Sequence, residues 1–150
     1  MDAHTVAWHD GICMLHHLRT RSPLLVGLFI IFFGIFVSEK FALYARWDQF
    51  DPLLHALGGL TAAWFGLALF QDDITHMAAW KQILLFVGFA ALVGVLWEFA
   101  EYRANFARET LPWLWHWFHG GDLTDTMTDL AADVTGAVAL TLWALWRERA

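Results

Sequence analysis

The stretch "QILLFVGFAALVGVLWEFA", residues 82–100, decides the fold. It runs nineteen residues, and its first acidic side chain, Glu98, comes only near its end. About 20 largely apolar residues are what a helix needs to cross the hydrocarbon core of a bilayer. The rest of the chain agrees with a membrane setting. Of 150 residues 59% are hydrophobic and only 16% charged, with ten Trp and thirteen Phe. A soluble domain of that size would expose far too much apolar surface, so the composition reads as a polytopic membrane protein.

Three further spans follow outward from this one. The first starts at Pro23, runs through "LLVGLFIIFFGIFV" and continues past Ser38-Glu39-Lys40 to about Ala45. The second is "PLLHALGGLTAAWFGLALF", 52–70, and the last covers about Met127 to Trp146. Between the third and fourth, "TLPWLWHWFHG" (110–120) is too short to span. Its Trp and His content suits a helix lying at the headgroup level. Residues 1–20, with Trp8, Ile12, Met14, Leu15 and Leu18 among four His, read as an N-terminal interfacial segment preceding a transmembrane domain over 21–150. The expected fold is therefore an all-α, polytopic membrane bundle of four transmembrane helices, with an interfacial helix before the last span.

Charge narrows the partners. A net charge of −6 argues against nucleic acid and leaves membrane lipid as the expected surroundings. The lone Cys13 excludes an internal disulfide. Residues 1–20 show no cleavable signal pattern. Arg19, Arg21, Lys81, Arg147 and Arg149 fall on the side of the termini, and Lys40, Arg46, Arg103 and Arg108 on the other. Five against four places both termini in the cytoplasm by the positive-inside rule.

The functional signal lies in "GGDLTDTMTDLAADVTGA", 120–137. Asp122, Asp125, Asp129 and Asp133 are spaced three, four and four apart, which puts them within roughly 80° of one another on a helix. Asp122 or Asp125 can serve as an N-cap. Asp129 and Asp133 lie too far in for that role, and each costs up to roughly 3 kcal/mol at midplane depth unless paired or facing a polar cavity. Up-down threading brings Glu39, His55, Glu98 and Glu101 to the membrane face where this helix begins. Small-residue stripes, His55-Gly59-Ala62-Gly66 and Gly27-Gly34-Ser38, let the helices approach closely. They also serve packing alone.

Three ordered blocks, "DPLLHALGG" (51–59), "GVLWEFAEY" (94–102) and the 120–137 stretch, resemble the YjdF-type bacterial inner-membrane proteins. On that resemblance His55, Trp97, Glu98, Glu101, Asp122, Asp125, Thr126 and Asp129 match the motif. The block order is more loosely similar to VanZ-like proteins, from which Gly120 and Asp133 depart. The resemblance covers roughly residues 40–145 and implies a multi-pass protein of the bacterial inner membrane.

One imidazole among several carboxylates suits a divalent cation with open coordination positions, Zn²⁺, Mg²⁺, Mn²⁺ or Fe²⁺. It also suits a protonation site. No lysine sits deep within a span, which argues against a retinal Schiff base, and no Ser-His-Asp or Cys-His arrangement is evident. Three readings stay open. In the first, His55, Glu98, Asp125 and Asp129 hold a metal that acts on a lipid-like substrate, with Glu101 or Asp133 as general base or outer partner. The second is a proton- or cation-binding transport component, and the third a structural or accessory membrane protein.

Overall fold

The computed structural model describes residues 20–74, 76–112, 118 and 121–147. Its regular structure among these residues is helical: α1 Thr20–Val37, α2 Ser38–Phe41, α3 Leu43–Arg46, α4 Phe50–Ile74, α5 Ala79–Phe106 and α6 Leu123–Arg147. The four helices α1, α4, α5 and α6 are long and apolar enough to cross a membrane. Each of the last three begins earlier and ends later than the apolar run alone implies, because polar ends still complete the backbone hydrogen bonding that lipid demands. The N-terminal segment 1–19 and most of the Trp-rich stretch 110–120 lie outside the described residues.

The first span departs from expectation. It does not run unbroken to Ala45. Phe33–Val37 form a π-helical turn, and Ala42 adopts a left-handed conformation (φ 51°, ψ 44°) between α2 and α3. A non-glycine residue there costs roughly 1–2 kcal/mol, so packing must hold the elbow. Aromatic rings supply that packing. Tyr44 meets the buried Phe50 edge-on at 5.0 Å, and Phe33 and Trp47 lie 6.2 and 6.0 Å from the same ring. The elbow is thereby fastened to the start of α4. Glu39 belongs to α2, and its side chain lies outside the described set.

Burial is inverted relative to a water-soluble bundle. Leu84, Leu96 and Phe99 of α5 point outward, Leu84 at 68% exposure, while the interior holds Gly59, Thr61, Ala63 and Gly66 of α4. Lipid tails are as apolar as leucine, so small side chains that let backbones meet are what drive helix association. The closest meetings involve α4 and α6. A Cβ on Gly136 would overlap the Ala56 carbonyl oxygen, and one on Gly59 would overlap the Asp133 backbone. The small-residue stripe of α4 therefore packs against the acidic helix. Gly66, lower on α4, instead accommodates Phe86 and Phe89 of α5. The apolar core, Ala63, Ile74, Phe86, Ala90 and Ala137, fills the half of the bundle away from the acidic end.

Candidate metal centre

The N-terminal parts of α4 and α6 and the C-terminal part of α5 meet at one end of the bundle. Asp122 precedes α6, and its Oδ1 accepts hydrogen bonds from the backbone N–H groups of Thr124 (2.8 Å) and Asp125 (3.1 Å). It is the N-cap, and these donors hold its carboxyl below the ordinary carboxylate range. Asp125, a turn inward, has its carboxylate against Gly121, where a Cβ would collide with it.

Deeper still, His55 of α4 stands among three carboxylates. Its Nδ1 is 3.4 Å from Asp133 Oδ2. Its Nε2 is 3.8 Å from Asp129 Oδ2 and 3.9 Å from Asp51 Oδ1. One ligand atom from each of Asp51, His55 and Asp129 falls within 4.8 Å of the others. Donors about 2.1 Å from a tetrahedral ion stand about 3.4 Å apart, so the group would have to draw in to close on a cation. Asp129 is 1% exposed, and neither of its carboxylate oxygens has a hydrogen-bond partner. Asp51 is the open side of the group, with its side chain 31% exposed.

Residues 11–150 match the model of a family described as "Predicted membrane protein (DUF2238)". The chain belongs to that family. No curated protein and no solved structure matches it.

In this DUF2238 protein Glu98 and Glu101 lie beside the group without joining it. Glu98 is buried, lies beside Thr126, and leaves Oε1 without a hydrogen-bond partner. Glu101 Oε1 accepts from Trp97 Nε1 at 2.8 Å. Both lie close enough to His55 to interact with it electrostatically. Trp97 in turn packs 5.2 Å from Phe118, which places Phe118 at this end of the bundle.

Of the residues singled out from sequence, the structure brings His55 and Asp129 into one ligand group and sets Asp133 on the other ring nitrogen. Glu98 and Asp125 lie outside the group, each turned to a nearer neighbour, Thr126 and Gly121. Asp51 was missed. Its signal was present as the i, i+4 spacing to His55, which puts both on one helix face.

Proposed function

We propose that this protein binds a divalent cation through Asp51, His55 and Asp129 and uses it at the membrane surface on a lipid-like substrate. The observation that carries the reading is Asp129, a carboxylate buried inside the bundle with neither oxygen hydrogen-bonded and an imidazole nitrogen 3.8 Å from one of them. An unsatisfied buried polar group costs about 1–3 kcal/mol, and more when charged. Set against the 5–15 kcal/mol by which folded domains exceed their unfolded states, that penalty calls for a ligand. A divalent cation satisfies all three side chains at once. One nitrogen and carboxylate oxygens suit Mn²⁺, Fe²⁺, Zn²⁺ or Mg²⁺, and three protein donors leave positions free for water or a phosphate or ester oxygen.

Position supports the lipid-like substrate. The group lies near helix ends, with half-buried Asp51 as its access route and the Trp97–Phe118 pair at the same end of the bundle. Glu101, half-buried and held by Trp97, is the candidate general base on this reading. The ordered motifs that resemble YjdF-type and, more loosely, VanZ-like proteins fall on the three helices that build the site, which supports treating them as one functional unit. With both termini in the cytoplasm of a bacterial inner membrane, the site opens to the opposite face.

A purely structural role fits the unpartnered oxygens poorly, since a network that only locks helices together gains nothing from unmade bonds. A transport role fits the far half of the bundle poorly. There the buried hydroxyls of Thr61 and Thr141 donate to Leu57 O and Ala137 O of their own helices rather than towards one another.

Metal analysis of full-length protein purified without chelators tests the reading. Wild type should carry close to one ion per chain, and Asp129→Ala and His55→Ala should carry none. Wild-type protein free of stoichiometric metal after such purification would sink it.

A further inference from the structure

The two ring nitrogens of His55 face different surroundings. Nε2 looks towards Asp51 and Asp129, while Nδ1, among the described residues, looks towards Asp133. We infer that Asp133 is a positioning residue that holds the His55 ring through Nδ1–H and leaves Nε2 as the metal-binding nitrogen, with Gly94 providing the space in which its carboxylate does so. The inference rests on the metal reading above and deepens it.

An ionised carboxylate can only accept a hydrogen bond, so a ring nitrogen paired with Asp133 must carry the proton. Neutral imidazole has one protonated nitrogen and one lone pair, so fixing the proton on Nδ1 fixes the lone pair on Nε2. Histidines that bind metals commonly donate their second ring N–H to a carboxylate or carbonyl, which sets the tautomer and raises ligand basicity.

The packing around Asp133 shows how its carboxylate is aimed. Its backbone is pressed against Gly59 of α4, and its Oδ2, the oxygen that meets His55, occupies the space where a Cβ on Gly94 of α5 would lie. The side chain is buried, so this oxygen has little room to turn elsewhere. Three helices thus fix one contact: α6 supplies the carboxylate, α4 the imidazole and α5 the gap. The position of Gly94, three and four residues before Trp97 and Glu98, aligns that gap with the site end of α5.

The test uses full-length protein carrying ¹⁵N-labelled histidine, with spectra recorded metal-free and with Zn²⁺ added, and Zn²⁺ affinity measured by competition titration. In wild type, His55 Nδ1 should be protonated in both spectra and Nε2 should be the nitrogen that shifts on adding Zn²⁺. Asp133→Ala should release the Nδ1 preference and weaken Zn²⁺ binding about 10–100-fold, short of the complete loss expected for Asp129→Ala. Gly94→Ala, which leaves every polar group in place but displaces Oδ2, should reproduce the altered ring spectrum. A wild-type His55 with bare or zinc-bound Nδ1 overturns the inference. So does an Asp133→Ala protein with unchanged ring signals and unchanged Zn²⁺ affinity. Wild type that shows the Nδ1 proton yet takes up no Zn²⁺ instead overturns the metal reading and leaves the positioning contact standing, so the two failures are distinguishable.

Discussion

Gly136 of α6 lies so close to Ala56 of α4 that a Cβ at position 136 would overlap the Ala56 carbonyl oxygen. The obstacle is backbone, which cannot step aside as a flexible side chain can. Gly136→Ala should therefore separate α4 from α6 and lower stability by about 1–3 kcal/mol, the usual cost of overpacking. Gly88→Ala is the control. No atom lies within 4 Å of a Cβ there, and alanine's better helix propensity should leave stability unchanged or raised by up to about 1 kcal/mol. Thermal unfolding of both variants in the same detergent measures the contrast.

The glycine contacts show what in the fold was legible. Long apolar runs announced four spans, and the stripe His55-Gly59-Ala62-Gly66 announced a close-packed face on α4, because lipid imposes one length and one packing logic on every span. The elbow after α1 was not legible. The left-handed residue is an alanine, with no glycine or proline at it to mark the bend, and the glycine in the π-turn, Gly34, reads equally well as part of a packing stripe; what holds the elbow is the tertiary contact of Tyr44, Phe33 and Trp47 with Phe50.

Asp129→Asn keeps the shape of the side chain and removes its charge. Without metal the variant should be at least as stable as wild type, because a buried carboxylate that makes no hydrogen bond is replaced by a neutral side chain of the same shape. With metal the order should reverse. Ion at 100-fold its Kd would stabilise wild type by about 2.7 kcal/mol, and the variant by little or nothing. Melting curves with and without Mn²⁺ or Zn²⁺ check this, and an equal metal-induced shift in both proteins would rule out Asp129 as a ligand.

Within the site, legibility stopped at distances. Span threading brought the correct helix ends together, and the four-residue spacing put Asp129 and Asp133 on the inner face of α6. Which carboxylate meets which ring nitrogen depends on local alternatives, such as the Thr126 hydroxyl for Glu98 and the space over Gly121 for Asp125. Helical phase does not contain them. Asp51 was not among the residues read as ligands, although its four-residue spacing to His55 was in plain view.

Asp122 offers a pH signature separate from the site. Its carboxyl is depressed by the backbone N–H groups it caps, so its stabilising contribution is complete above about pH 4 and is lost as pH falls through the lowered folded-state value. Asp122→Ala should melt below wild type from pH 5 to 8, and the gap should narrow as pH falls below about 4. A gap that persists undiminished at low pH would show that capping is not what Asp122 contributes.

The far end of the bundle permits a last separation of stability from function. Gln82, buried on α5, donates from Nε2 to Met77 O at 3.1 Å and to Ile74 O at 3.3 Å, tying off the end of α4 where its carbonyls have no helical partners. The Ile74 carbonyl also accepts from the Met77 backbone N–H at 2.8 Å, so Gln82→Leu strands mainly the Met77 carbonyl. The expected loss is about 1 kcal/mol, the low end for a broken buried hydrogen bond. Gln82 is sixteen residues from Glu98, about 24 Å along α5, a separation at which mutational effects usually add without coupling. Gln82→Leu should therefore lower the melting temperature and leave metal content per folded chain at the wild-type value. A parallel loss of metal would mean that the two ends of the bundle fold and bind as one cooperative unit.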